Sequence, residues 1–218
     1  MTLIFARHGN TFEAHETPRI VGAHEDLALT QKGEEQAQAV GDAIKGAGIE
    51  LKTIVSGPLI RTRRFAEIVA ERTGFTGIVQ IDERLRELDF GAWSGLSDDE
   101  IAEKFGQQAL DDWRKHGHPH PASKWAPAED AIRTDLASLA ASLANAEPAL
   151  CVTSNGVLRY AMELDPKAFS DSGKDGGFRV KTGRICAFRR EDDELRLVFW
   201  DSAPDAAALK RLSGPAAG

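Results

Sequence analysis

Thr2-Leu-Ile-Phe-Ala-Arg-His-Gly-Asn-Thr11 is the stretch on which the fold and the chemistry turn. Leu3-Ile4-Phe5-Ala6 is a short apolar run with the character of a buried strand. It ends abruptly in Arg7-His8-Gly9, where a strand passes into a loop and functional groups are delivered. A guanidinium and an imidazole stand there side by side. The glycine after them lets another group approach the backbone closely. An imidazole beside a fixed positive charge suits attack on an anionic electrophile such as a phosphoryl group. Taken alone, the tripeptide reads more readily as charge that solvates a strand end, so the rest of the chain has to decide.

Working outward, residues 12–29 read as irregular, broken by Pro18, Gly22 and Glu25-Asp26. Thr30 can cap a helix over 31–47, with Ala37, Val40, Ile44 and Ala47 on one face and Gly46 and Gly48 at its end. Leu51–Ser56 is a second strand. Gly57-Pro58 then opens a helix over 59–71 whose buried side is Ile60, Phe65, Ile68 and Val69. A short strand is expected at 78–81, and a charged, glycine-rich loop at 82–96. Ser97 and Glu100 form a capping-box pattern for a helix to about Phe105. Residues 106–127 read as a long polar insertion. A helix over 128–145 is expected from Ile132, Leu136, Leu139 and Leu143, then a buried strand at 149–153 and a helix from Val157. Residues 173–177 read as a loop. Strands 184–190 and 194–200 read as a hairpin turning at 191–193, before an alanine-rich tail frayed beyond Leu212.

Strands alternating with helices imply an α/β fold with a mostly parallel central sheet covered on both faces. Such a sheet places its ligand site at the carboxyl ends of its strands. No internal repeat or linker divides the chain, so one domain over 1–218 is expected, with a lid-like insertion at about 106–127. The 218 residues suffice for a substantial core, and the 42% hydrophobic and 28% charged shares are those of a globular protein. A net charge of −7 argues against general nucleic-acid binding. No apolar run approaches the ~20 residues of a membrane helix. Cys151 and Cys186 read as core residues in a reducing compartment, and no secretory pattern opens the chain, so a cytoplasmic location is expected.

Three segments at strand ends carry polar or cationic groups: Arg7-His8-Gly9, Ser56 through Arg61, and Ser154-Asn155-Gly156. Arg61, on the first turn after the second strand, can join Arg7 in clamping a tetrahedral oxyanion. At least one of Arg63 and Arg64 belongs to a solvated helix face. Glu87, after the third strand, would have its pKa raised beside a phosphate and could serve as a general acid. Asp82, Glu83 and Asp89 compete for that role. His116, His118 and His120 form a run of alternating imidazoles. They could bind zinc, but Pro119 and Pro121 stiffen the run and no cysteine or acidic ligand stands at the usual spacing. A solvated lid loop is the favoured reading. With Arg114 and Lys115 it could select an anionic substrate, or one of its groups could fold over the pocket.

Arg7-His8-Gly9-Asn10-Thr11, Leu29-Thr30-x-x-Gly33 with Gln36-Ala37, the Ser56 to Arg61 segment, and Leu85-Arg-Glu-Leu-Asp-Phe-Gly-x-Trp-x-Gly95 occur in this order. Together they resemble the histidine phosphatase superfamily, the phosphoglycerate mutase-like group, over residues 3–105 and again at 149–160. The resemblance implies a three-layer α/β/α sandwich and a phosphohistidine on His8. It implies that Arg7 and Arg61 hold the phosphoryl group, with Asn10, Thr11, Ser154 and Asn155 as further phosphate-binding residues. Glu87 would protonate the leaving oxygen, and water would then release phosphate. The implied partner is a small phosphorylated substrate, with no metal and no cofactor; oligomeric state is left open.

The departures from that pattern are specific. The family's late strand usually ends in Val-Ser/Thr-His-Gly-Gly, and here the chain reads Val152-Thr-Ser-Asn-Gly156, with Ser154 in place of the second histidine and Asn155 in place of the first glycine. Ala14 replaces an asparagine common in the first loop. Losing one preorganised donor can cost roughly 10²–10³ in rate, about 2.7–4 kcal/mol. The expectation is an active but altered phosphomonoester hydrolase. A phosphoglycerate-type mutase and a degenerate, non-catalytic binder of phosphorylated ligands are the alternatives, with a metal-dependent hydrolase through His116–His120 as the outsider.

Overall fold

The computed structural model describes residues 2–172, 178–192 and 194–213. The expected loop at 173–177, Asp193 of the expected 191–193 turn, and the residues from 214 lie outside the described residues.

In chain order the strands are β1 (Thr2–Arg7), β2 (Thr53–Ser56), β3 (Gln80–Ile81), β4 (Ala149–Thr153), β5 (Ile185–Glu191) and β6 (Glu194–Ser202). They form one sheet in the order β3-β2-β4-β1-β5-β6. β1, β4, β2 and β3 run parallel, β5 pairs antiparallel with β1, and β6 pairs antiparallel with β5 at the sheet edge. β4 threads between β1 and β2, with Arg7 opposite Thr153 and Ser56 opposite Val152. That order brings the carboxyl ends of β1, β2 and β4 together.

The helices are α1 (Gln31–Gly46), α2 (Ile60–Thr73), α3 (Asp98–Phe105), α4 (Gln107–Asp111), α5 (Glu129–Ser142), α6 (Asn155–Leu158), α7 (Pro166–Ser172) and α8 (Ala206–Lys210). Two-residue alternation sorts the strand side chains onto two faces. Ile4, Ala6, Ile54, Leu150, Val152, Ile185 and Ala187 pack against Val40 and Ile44 of α1, Phe65 and Val69 of α2 and Leu209 of α8. Leu3, Phe5, Cys151, Cys186 and Phe188 pack against Ile132, Leu136 and Leu139 of α5 on the other face. Three layers result. Phe5 and Phe188 meet edge-on at 6.0 Å, and each such fully buried side chain contributes about 1.5–3 kcal/mol by area.

The local signals act as the sequence implies. Thr30 Oγ1 accepts from Gly33 N at 3.1 Å and starts α1. At α3, Ser97 and Glu100 make the full reciprocal capping box.

Several boundaries differ. β3 is a two-residue edge strand paired only with β2, which leaves Ile78 86% and Ile81 51% exposed. Ile60 is 41% exposed because Arg61, not Ile60, turns inward from the first turn of α2. The tail forms α8, with the Asp205 carboxylate accepting from Ala207 and Ala208 N–H.

The 106–127 segment is not a solvated loop. It forms α4, a wide π-type turn at Asp112–His116 and a tight turn at Pro121–Ser123. Trp113 is 3% exposed. Its ring lies 5.7 Å from Phe90 and 4.5 Å from Trp125. Two large indoles in so short a segment supply enough apolar surface to pull the polar chain onto the core.

Candidate active site

The site grows from the parallel strand ends. β1 hands over to His8, whose N–H donates to Thr153 O at 3.0 Å and fixes it beside β4. Gly9 then passes so close to the first turn of α1 that a Cβ there would lie 2.3 Å from Gly33 O. Asn10 is tied on several sides. Its N–H donates to Gln36 Oε1 at 2.8 Å, its carbonyl accepts from Thr30 N at 2.9 Å, and its Oδ1 accepts from the Thr182 hydroxyl at 2.5 Å.

His8 is 6% exposed. Its Nδ1 lies 2.7 Å from Gly9 O. A carbonyl oxygen can only accept, so Nδ1 carries the proton and Nε2 keeps a free lone pair. Burial, then the Arg61 and Arg7 charges, push the imidazole pKa well below its ordinary value. At neutral pH the ring is therefore uncharged, with the Nε2 lone pair available.

Both arginines are held by backbone oxygens. Arg7 Nη1 donates to Val180 O at 2.6 Å, and its buried Nε has no hydrogen-bond partner among the described residues. Burial lowers its pKa to about 10 against the raising effect of Glu87, so it stays charged at neutral pH. Arg61 is 2% exposed, and it donates to Gly22 O at 2.8 Å and Glu25 O at 2.9 Å. It thereby staples the 22–26 loop over the site. Asp26 reinforces this by accepting from Ile60 N at 2.7 Å at the start of α2.

Glu87 is 9% exposed. Its Oε1 accepts from Leu88 N at 2.9 Å and its Oε2 from Gly156 N at 3.3 Å. The competing carboxylates are engaged elsewhere: Asp82 with Arg84 at 2.6 Å, Glu83 with Arg86 at 2.7 Å, and Asp89 with Gly91 N at 2.8 Å. None of the three lines the main cavity, and Glu87 does.

That cavity, about 780 Å³, brings Arg7, His8, Asn10, Thr11, Arg61, Glu87 and Asn155 together. Among the residues expected to hold phosphate, Ser154 is the exception. It is fully buried and does not line the cavity, and its Oγ has no hydrogen-bond partner among the described residues. Asn155 lines the wall, and its Oδ1 accepts from Val180 N at 3.0 Å. Val180 is thus gripped at its N–H by Asn155 and at its carbonyl by Arg7. Of the neighbours at α2, Arg64 is ion-paired to Glu34 at 3.0 Å on the surface.

The three alternating histidines do not reach this cavity. His120 stacks 6.3 Å from Trp93, and the His116 and His118 ring centroids are 5.9 Å apart. Among the described residues no three His, Cys, Asp or Glu side chains gather as a metal set. Arg114 is the residue of the insertion's cationic stretch that lines the cavity. Sequence reasoning missed the 179–183 segment altogether, because its contacts to Arg7, Asn10 and Gln36 span more than a hundred residues. Gln36 was visible only as part of a pattern.

Comparison with known proteins adds to this geometry. A 2,3-bisphosphoglycerate-dependent phosphoglycerate mutase of Actinobacillus pleuropneumoniae is 32% identical over 116 residues, 53% of this chain and 50% of the relative. The chain thus spans about half the length of the curated relatives it matches. A solved mycobacterial glucosyl-3-phosphoglycerate phosphatase in complex with VO3 superposes with a TM-score of 0.76 at 24% identity, covering 92% of this chain and 98% of the other. Its likeness bears on the fold alone. YhfR of Bacillus stearothermophilus superposes with a TM-score of 0.69 at 25% identity, over 94% of this chain and 99% of its own. No helix among the described residues is long and apolar enough to cross a membrane. The histidine phosphatase superfamily (branch 1) model matches residues 3–203, nearly the whole of the sheet and every strand end described above, and the chain belongs to that superfamily.

Proposed function

We propose that the protein is a metal-independent phosphomonoester hydrolase acting through a phosphohistidine on His8, in the cytoplasm, on a small phosphorylated substrate. The observation that carries this reading is the state of His8: an uncharged imidazole with Nδ1 held by Gly9 O, set between Arg7 and Arg61 in a cavity that also contains Glu87.

In the first step His8 Nε2 attacks phosphorus and the ester P–O bond breaks. The leaving oxygen takes its proton from the Glu87 carboxyl group. Arg7 and Arg61 spread the charge of the equatorial oxygens, with Asn10, Thr11 and Asn155 as neutral donors along the wall. In the second step the Glu87 carboxylate accepts a proton from water, the water oxygen attacks phosphorus, and the P–N bond breaks to free His8 and phosphate. Guanidinium groups supply the positive charge, so the scheme requires no metal. Ser154 takes the place of the family's second histidine without its positive charge. Residues 106–127 act as a wall over the substrate within one domain.

A phosphoglycerate-type mutase is the second reading, favoured by the mutase identity of the curated relative above. Measuring phosphate release and phosphoryl migration side by side, on parent and His8→Ala, separates the two. Phosphate release that depends on His8 supports the hydrolase. Equal release by His8→Ala refutes the mechanism.

A further inference from the structure

The β5–β6 pairing is irregular near the start of β5. Ile185 stands opposite Ser202 and Ala187 opposite Phe199, so Trp200 and Asp201 together oppose Cys186. A bulge of this kind re-aims a side chain. Asp201 also has a left-handed backbone, with φ at 47°. That conformation is unfavourable for a residue with a Cβ, and it persists only where the surroundings hold it.

The bulge delivers a carboxylate to the 179–183 segment. Asp201 Oδ1 accepts from Lys181 N at 2.7 Å. That N–H and the Val180 carbonyl belong to one planar peptide and point to opposite sides of it. Drawing the N–H toward Asp201 therefore aims the carbonyl the other way, where Arg7 Nη1 donates to it at 2.6 Å. The peptide dipole then lies between a carboxylate at its positive end and a guanidinium at its negative end, and each bond strengthens the other. Asn155 Oδ1, which accepts from Val180 N, holds the preceding peptide. Asp201 is also close enough to Arg7 to favour its charged form.

With Nη1 engaged, the roll of the Arg7 guanidinium is fixed. Nε and Nη2 share another edge, a fork that meets two oxygens side-on. The buried Nε has no hydrogen-bond partner among the described residues, and Arg7 lines the cavity.

We propose that Asp201 is a positioning residue for Arg7, which acts through the Val180–Lys181 peptide to set the guanidinium edge that receives the transferring phosphoryl group. The proposal rests on the reading that Arg7 holds that group. It also fixes a sign. Deleting a carboxylate near an anion site tightens the anion by charge alone, whereas releasing Arg7 weakens it.

The test is calorimetric binding of orthovanadate to the parent, Asp201→Gly, Asp201→Asn and Arg7→Ala proteins and to the Arg7→Ala, Asp201→Gly double variant, with phosphoenzyme formation measured separately. Glycine adopts positive φ freely, so Asp201→Gly removes the acceptor while relieving the backbone. It is expected to weaken orthovanadate about tenfold, less than the roughly 10²–10³ of a donor removed outright. Asp201→Asn keeps an oxygen acceptor and tolerates the left-handed region, so it should bind within about threefold of the parent. In the Arg7→Ala background Asp201→Gly should weaken binding no further. Unchanged or tighter binding in Asp201→Gly, as large a loss in Asp201→Asn, or an equal loss in the Arg7→Ala background overturns the proposal. Should Asp201→Gly not fold, Asp201→Ala is read by the same criteria. If Arg7→Ala binds as the parent does, the reading of Arg7 fails and the proposal with it. If Arg7→Ala binds weakly and Asp201→Gly is indifferent, the positioning role alone fails. The expected binding pattern without a phosphoenzyme supports the role of Asp201 and refutes the hydrolase reading.

Discussion

Gly156→Ala isolates Glu87 from the rest of the fold. A Cβ at position 156 would lie 2.3 Å from Glu87 Oε1, 3.0 Å from Leu88 Cγ and 3.0 Å from Phe90 Cζ. Leu88 and Phe90 are buried in the core and have little room to give. The carboxyl group is the free end of a side chain, so it is the part that moves, by about 1 Å to reach ordinary contact. Its bonds from Leu88 N and Gly156 N are stretched or lost. A displacement of that size at a reacting group costs about 10²-fold in rate, which is roughly 2.7 kcal/mol of transition-state stabilisation. The assay compares an alkyl phosphate, whose leaving oxygen needs a proton, with p-nitrophenyl phosphate, whose leaving group does not. Turnover of the alkyl ester should fall about 10²-fold, and that of the aryl ester much less. Adding Glu87→Gln should cost little more, because both changes disable one group. Alkyl phosphate turnover within threefold of the parent, in folded Gly156→Ala protein, refutes Glu87 as the acid.

Arg61→Lys keeps the charge but cannot bridge Gly22 O and Glu25 O together. One buried carbonyl left unpaired costs about 1–3 kcal/mol, a Tm loss of roughly 2–4 °C per kcal/mol at this size, and kcat/KM should fall beyond that. Gly33→Ala would place a Cβ 2.3 Å from Asn10 O, a backbone atom, so thermal melting should show about 1–3 kcal/mol of overpacking together with weaker phosphate binding. The depressed His8 pKa makes a signed prediction. Below about pH 6.5 the unfolded chain protonates this imidazole and the folded one does not, so its contribution is intact above that pH and is lost as pH falls, by up to about 1.4 kcal/mol per unit. Nitrogen-detected NMR should show His8 neutral with Nδ1 protonated at pH 6.5, and a ring titrating at or above that value would refute its assigned state.

Local signals and long-range ones fared differently. The Thr30 cap, the Ser97–Glu100 box and the buried runs at β1 and β4 were legible because each depends on neighbours a few residues away. Arg7, His8 and Arg61 were legible because parallel strands deliver the residues at their carboxyl ends to one edge of the sheet. The strand order was not. The insertion of β4 between β1 and β2 is a pairing across a hundred residues, and no local period records it. Trp113 and Trp125 were in view, but the charges around them suggested a solvated loop, and the indoles' apolar area decided otherwise. Ile78 failed in the opposite sense, since an apolar residue beside an edge strand has nothing to bury against. Ser154 illustrates a further limit: a serine is too short to show from sequence whether it reaches the cavity wall, and here it does not line the cavity.

The most direct measurement on the central claim is phosphoenzyme trapping. Parent and His8→Ala proteins are mixed with a reactive phosphomonoester, quenched in base, and the modified residue located by peptide mass spectrometry. The account predicts an acid-labile phosphoryl group on the peptide carrying His8 in the parent and none in His8→Ala. Substrate turnover by the parent with no phosphohistidine at His8, or an equal rate in His8→Ala, would contradict it.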